Sequence, residues 1–362
     1  MEQRLLTSAK KNRINIKKLT GYLMPVILTF LFLYFAFLKV DLKKSFSLIL
    51  NTSLFWLIIY VLVFFLSHFI RALRWKLMVK SVKQDVSLFN LFSAVMIGYG
   101  VNCVIPRLGE VYRGLFIGRW EGLSRTTMLG TVVIERIIDI GAFAFASLLS
   151  VYIFPGNLFD QVIWLKTSLM IGFAAIFVVS LLIVFMVKYE EKFGLVIVKI
   201  LSKFSKKLSE KFAELFSTLV SGLSSIQDFK TIFIITLYTA LILIFYALNS
   251  YVGFYMLDMQ NYGTINFTLA WVFMTISAYG VIIPTPGGTG SYHIISIFVL
   301  TQLYNFDYEL SAAYALLTHF ISYIIFIGST VGVIYLVNKF RVKKGIKKEN
   351  FFTVFDINSE PK

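Results

Sequence analysis

One cysteine (Cys103), three histidines (His68, His293, His319) and six prolines are all that the 362 residues contain of these types. A single thiol excludes an intramolecular disulfide framework and the clustered thiolates of a zinc or iron–sulfur site. Three histidines far apart in sequence make a poor all-protein metal site, and no GxxxxGK[ST] loop offers a nucleotide cradle, so no cofactor is expected. Acidic residues are scarce, 19 against 35 Lys and Arg. Lys and Arg are in turn absent from two long stretches, 137–165 and 231–338.

What remains is 58% hydrophobic and 17% aromatic, with a mean hydropathy of +0.78, well above the apolar share of a soluble domain. The chain reads as an all-α polytopic membrane protein. Its net charge of +16 does not point to nucleic acid, because the basic residues gather in blocks between long apolar segments. Such blocks mark cytoplasmic loops that face anionic inner-leaflet lipid. A basic segment, 1–20, precedes the apolar run from Gly21 to Leu38. The sequence Phe37-Leu38-Lys39 is too bulky for a cleavage site, so an uncleaved first span is expected.

A helix needs about 20 apolar residues to cross the hydrocarbon. Candidate segments are 21–38, 48–70, 88–106, 126–154, 162–187, 231–257, 266–304 and 310–337. Basic residues concentrate in 1–20, 71–87, 107–125, 188–230 and 339–348, which places both termini and these loops in the cytoplasm. The loops at 155–161, 258–265 and 305–309 carry no Lys or Arg and are expected outside. The loop at 39–47 has three lysines and is external only if both flanking segments cross.

Charge parity then creates a conflict. Residues 71–87 and 107–125 fall on the same side although 88–106 lies between them, and both ends of 266–304 fall outside. Each of these segments is expected to enter and leave on one face as a re-entrant hairpin, about 88–120 and about 266–304, with an irregular tip covered by protein or water. The reading is six full spans plus two opposed hairpins, in a first membrane repeat (21–154) and a second (155–338), followed by a basic tail (339–362). "YGVNCVIPRLGE" (99–110) and "YGVIIPTPGG" (279–288) share Tyr-Gly-Val and then apolar-Ile-Pro-x-x-Gly, pairing Pro106 with Pro284 and Gly109 with Gly287. Inverted repeats with broken helices are a transporter architecture.

Charges inside apolar sequence are costly and need partners or a pathway. Glu135, Arg136 and Asp139 lie within three or four residues of one another, as an ion cluster that fixes packing or lines a site. Glu110 and Arg113, three apart beyond the first tip, could neutralise each other or bind a zwitterion. Arg71 and Arg74, followed by Trp75, fit snorkelling arginines beside an interfacial tryptophan, with a substrate role as the alternative. His68 and His319 read as packing residues. Segment 188–230 places Phe204, Leu208, Phe212, Leu215 and Leu219 at helical spacing, an amphipathic helix on the inner leaflet.

"RALRW" (71–75), "NCVIPRLGEVYR" (102–113), "ERIID" (135–139) and "PTPGGTG" (284–290), in this order, resemble the flippase-like integral membrane family, the transmembrane region of lysylphosphatidylglycerol synthases. That resemblance implies movement of a phospholipid such as aminoacylated phosphatidylglycerol, or of a lipid-linked intermediate, between leaflets. In the family a separate soluble domain transfers the amino acid. Here the last candidate span ends at 337 of 362 residues, so synthase activity is not carried over, and a separate synthase or transferase is a candidate partner. His293 departs from the family, which tends to carry an acidic residue after the Gly-rich turn, so no cation or proton role is carried over to it.

A headgroup site is expected between the two tips, in the cell membrane. It would draw on Arg71, Arg74, Asn102, Pro106, Arg107, Gly109, Glu110 and Arg113, on Glu135, Arg136 and Asp139, and on Pro284, Pro286, Gly287, Gly288, Gly290, Ser291 and His293. The helix starting near Ser291 is expected to aim its N–H groups at a phosphate. Alternatives are a transferase on a lipid-linked donor, with Glu135 or Asp139 as base, and an ion or small-solute carrier. No nucleophile-and-base pair has a definite spacing, so enzymatic activity is not expected.

Overall fold

The computed structural model describes residues 16–80, 82–188, 198–203 and 229–343, with positions 205, 206, 209, 210, 213, 216, 345, 348 and 351. Residues 1–15, most of the amphipathic segment expected at 188–230 and most of the tail lie outside the described residues. The described residues contain helices and no strand. In chain order the helices are α1 (Ile16–Phe37), α2 (Leu42–Leu50), α3 (Leu54–Val79), α4 (Leu88–Val104), α5 (Gly109–Glu121) and α6 (Arg125–Ile153). Then follow α7 (Leu158–Gln161), α8 (Ile163–Lys188), α9 (Phe229–Met256), α10 (Phe267–Ile282), α11 (Ser291–Phe298) and α12 (Tyr308–Lys343).

Among the described helices, α3, α9 and α12 are each long and apolar enough to cross a membrane. The pair α1 and α2, bent by 88° at its break, makes a fourth if it counts as one crossing. Helix α6 has the length, 29 residues, but carries Arg125, Glu135, Arg136 and Asp139. The expected boundaries at 39–47 and 48–70 are corrected. Leu42–Leu50 is a separate helix, because the Asp41 carboxylate accepts the N–H groups of Lys43 and Lys44 at 3.0 and 3.2 Å. The chain breaks at Asn51 and restarts after Ser53.

Two helix–break–helix hairpins organise the rest. The first is α4 and α5. Ser87 caps α4, and Ile105 is driven into extended backbone by the following Pro106. The chain turns through Arg107, whose φ of 61° is rare for a residue with a Cβ. The limbs run back alongside each other so closely that a Cβ on Gly109 would overlap the Gly98 carbonyl oxygen. At the open end, Glu121 receives Lys83 Nζ at 2.9 Å and Asn90 Nδ2 at 2.7 Å.

The second hairpin is α10 and α11, the latter continuing as a π-turn over Val299–Leu303. Asn266 caps α10, and Ile283 before Pro284 is again extended. A short 3-10 turn over Pro286–Gly288 carries the tip, with Gly287 and Gly288 at φ of 54° and 79°. Here the limbs meet at Gly280, where a Cβ would lie 2.7 Å from the Ser291 carbonyl oxygen.

The largest core cluster joins α3, α9, α10 and α12 around Tyr60, Phe254, Phe273 and Tyr314. Gly253 leaves room for the Tyr314 ring, which stacks on Phe254 at 4.8 Å. Helix α4 packs on α12, where Thr330 Oγ1 donates to the Met96 carbonyl. This framework brings the two hairpin tips together in the interior.

Candidate functional site

Four arginines from three helices converge on two carboxylates of α6. Arg71 Nη1 on α3 reaches Glu135 Oε1 at 2.7 Å and Asp139 Oδ2 at 2.8 Å. One turn later, Arg74 Nη2 reaches the same pair at 3.2 and 2.5 Å. Arg113 on α5 lies 2.9 Å from Glu135 Oε2 as an ion pair whose N–H is not aligned for a hydrogen bond. Arg136 reaches Asp139 at 2.7 Å and Glu135 at 3.3 Å. Glu135 and Arg74 are fully buried. A charge taken out of water in this way needs close partners, and Glu135 has all four guanidiniums around it.

The snorkelling explanation of Arg71, Arg74 and Trp75 is therefore corrected. Both arginines point inward to α6. Trp75 is wholly buried, donates from Nε1 to Thr131 Oγ1 at 3.0 Å, and presents its ring to Arg113 at 4.9 Å. Glu110 and Arg113 do not pair with each other. Glu110 instead takes Asn102 Nδ2 at 3.3 Å and lies 3.8 Å from Arg136.

Beside this cluster a cavity of about 950 Å³ opens between the hairpin tips. Arg71, Arg74, Arg107, Glu110, Arg136 and Asp139 line its charged side. Asn102 and Pro106 from the first tip, and Pro284, Gly287 and Gly288 from the second, also line it. The other expected residues stand behind the wall. Glu135 and Arg113 back the arginines, and Gly109 is the crossing point of the first hairpin. The Pro286 carbonyl is held at 2.6 Å by Tyr323 Oη.

Gly290, Ser291 and His293 form the start of α11 away from the cavity. The close approach at Gly290 is to α1, where a Cβ would meet the Thr29 carbonyl oxygen at 2.7 Å. Ser291 Oγ bonds Thr285 Oγ1 at 3.0 Å and the Gly288 carbonyl at 3.2 Å. His293 occupies the third position of α11, where its Nδ1 accepts the Gly290 N–H at 3.2 Å. This is the reach of a capping-box Glu or Gln, and it explains physically why an acidic residue suits the position.

The tips also touch each other. Arg107 Nη2 donates to the Ile282 carbonyl, an unpaired C-terminal acceptor of α10, at 2.6 Å. Tyr323 Oη lies 3.3 Å from the Cys103 carbonyl, on the other tip. Sequence reasoning missed Tyr323, Tyr246, which accepts from Arg71 Nε at 3.3 Å, and Tyr99, whose ring lies 5.9 Å from the Arg71 guanidinium. Only Tyr99 carried a signal, as part of the shared Tyr-Gly-Val. Its counterpart Tyr279 bonds Ser147 instead, so the matched tyrosines have different surroundings.

The model of the lysylphosphatidylglycerol synthase TM region matches residues 22–329. The chain belongs to this family. It is a multi-pass membrane protein. It is similar to a UPF0104 membrane protein of Methanocaldococcus jannaschii, 27% identical over 134 residues, which is 36% of this chain and 40% of that protein. A second UPF0104 membrane protein, of Methanothermobacter thermautotrophicus, is 27% identical over 125 residues, 34% of this chain and 36% of the relative. The chain thus spans well under half the length of either relative in these matches. No solved structure matches it.

Proposed function

We propose that this family member is a translocase that carries the headgroup of a phospholipid, or of a lipid-linked intermediate, between the leaflets of the cell membrane. The aminoacylated phosphatidylglycerol of the family resemblance is the first case to consider. One observation carries the reading: a large cavity at the meeting point of two broken helices, with one wall of paired charges and the rest free of Asp, Glu, Lys and Arg. Irregular backbone and ionised side chains are expensive in hydrocarbon and are kept where they line a pathway. Six crossings with two opposed re-entrant hairpins, arranged as an inverted repeat, fit the charge pattern of the loops and supply the two-sided access that such a site needs. The anionic inner leaflet attracts the basic loops and sets the orientation.

The test is leaflet-to-leaflet transfer of fluorescent anionic phospholipid in proteoliposomes. Wild type is expected to accelerate transfer, and Glu110→Gln and Arg136→Gln, both on partly exposed side chains, to slow it at least tenfold while the protein still elutes as a folded species. Transfer no faster than in protein-free vesicles for every phospholipid and lipid-linked probe overturns the reading. Bilayer currents in its place favour a carrier of ions.

A further inference from the structure

The cavity has two chemically different halves, and the difference specifies the headgroup. On the side built by α3, α5 and α6 and the first tip, four arginines (Arg71, Arg74, Arg107, Arg136) line the wall against two carboxylates (Glu110, Asp139), an excess of two positive charges. Those carboxylates are already engaged. Asp139 takes Arg71, Arg74 and Arg136, and Glu110 takes Asn102 with Arg136 nearby. Behind them Arg113 and Glu135 cancel. Glu110 is the less fully engaged of the two lining carboxylates, and the surplus of positive charge around it opposes an ammonium group, while buried Arg74 Nε and Arg136 Nε have no partner.

The opposite half comes from α9, α10 and α12 and the second tip. Its lining between Thr239 and Phe326 contains no Asp, Glu, Lys or Arg. Tyr292 on α11, with Thr318, Ser322 and Tyr323 beside His319, brings hydroxyls to it, and Tyr60 on α3 adds another. Tyr292 pairs with Thr318, and Thr318, Ser322 and Tyr323 donate to the Tyr314, Thr318 and Pro286 carbonyls, so these oxygens chiefly offer a ligand acceptors for its own hydroxyl protons. Aromatic rings could in principle attract a cation, but Arg71 already lies near the face of Tyr99, and the local excess of positive charge opposes a second one. Hydroxyls and ring faces without charge suit a neutral polyhydroxyl group, which offers both hydrogen-bonding edges and C–H faces.

We propose that the site selects a phosphodiester whose second alcohol is neutral and hydroxyl-rich, such as a glycerol, inositol or sugar, and discriminates against aminoacylated or otherwise cationic headgroups. The phosphate sits at the arginine half and the polyol at the tyrosine half. This rests on the headgroup site proposed above and narrows it away from aminoacylated lipid. Two lipid sources carry this chemistry, glycerophospholipids and polyprenyl phosphate sugars.

The experiment is equilibrium binding to the full chain in detergent, followed by native mass spectrometry. The probes are short-chain phosphatidylinositol, phosphatidylglycerol, lysylated phosphatidylglycerol, phosphatidylethanolamine, phosphatidic acid and a short-chain polyprenyl phosphoglucose. At least one polyol phosphodiester is expected to bind about tenfold or more tightly than the lysylated lipid and phosphatidylethanolamine, and whichever polyol arm prevails names the source. Tyr292→Phe is expected to reduce its preference over phosphatidic acid roughly threefold, the scale of one lost hydrogen bond. Arg136→Gln should weaken all phosphate probes together. Equal or tighter binding of the lysylated lipid overturns the inference, as does an unchanged preference in Tyr292→Phe. Binding is read without transport, so selective binding without transfer defeats the translocase and leaves this assignment standing. Rapid transfer of lysylated lipid does the reverse.

Discussion

In the first hairpin the break at Pro106 is followed by Arg107, Glu110 and Arg113. In the second the break at Pro284 is followed by threonines, glycines and Ser291. Both use extended backbone before a proline, and both cross where a glycine removes the side chain, Gly98 with Gly109 in one and Gly280 with Ser291 in the other. The shared backbone plan determines where the tips meet. The side chains determine what each tip offers, charge from the first and hydroxyls from the second. A cavity between them is therefore asymmetric even though the two elements are built alike.

The strongest way to break that comparison is to remove the charge that holds the first half together. Glu135→Ala leaves Arg71, Arg74, Arg113 and Arg136 without their shared partner and is expected to cost about 3–5 kcal/mol. Thermal unfolding of the purified protein by tryptophan fluorescence checks it, and a loss under 1 kcal/mol means the cluster is solvated. Next come the two crossings. Gly109→Ala forces backbone away from backbone and is expected to cost about 3 kcal/mol, while Gly280→Ala, with more room at Ser291, should cost about 1 kcal/mol. The same melts read both, and a reversed order shows that the first hairpin has the looser contact.

Smaller effects sharpen the contrast at the ends of the helices. His293→Ala removes the cap of α11 and is expected to cost about 1 kcal/mol, whereas His293→Gln keeps a neutral acceptor of similar reach and retains most of it. Equal losses for the two in a melt exclude the cap. The smallest effect lies at the open end of the first hairpin. Burial raises the Glu121 carboxyl, but hydrogen bonds from Asn90, Lys83 and the Ser87 N–H outweigh it and hold the group below the ordinary carboxylate range. A depressed folded value means that this contribution is complete above the unfolded carboxylate pKa of about 4.3 and fades as pH falls through the folded value. The stability difference between wild type and Glu121→Gln should therefore shrink below about pH 4, measured by melts across pH 3 to 7.

The two breaks were legible in the sequence, because Pro106 and Pro284 with the glycines after them interrupt apolar runs, and the chain does turn back there. The ion cluster was legible only as local pairs. Glu135, Arg136 and Asp139 stand together on α6, but the further cations on the two carboxylates, Arg71 and Arg74, come from α3, and no periodicity reports a contact between distant helices. An arginine at the end of an apolar run also has a cheaper local explanation in snorkelling, which is why Arg71, Arg74 and Trp75 misled. The break at Asn51 was overlooked because apolar residues flank it closely, Leu48-Ile49-Leu50 before and Leu54-Phe55-Trp56 after, although Asn51-Thr52-Ser53 is polar and Asp41 and Ser53 are ordinary helix-start residues. The phosphate site expected at the helix start near Ser291 shows a related limit at Gly290. Glycine signals a close approach, and only the fold shows that the neighbour is α1.

Where Gly98 and Gly109 cross, no side-chain layer separates the two limbs, so there is nothing between them to compress or shear. The first hairpin is in mechanical terms a stiff wedge. The wedge is held at both ends, by Arg107 on the Ile282 carbonyl at the tip and by Glu121 with Lys83 and Asn90 at the open end. Displacing the tip would carry Arg107 and Arg113 together as one rigid body, past Arg71 and Arg74 on α3 and Arg136 on α6, which belong to other helices.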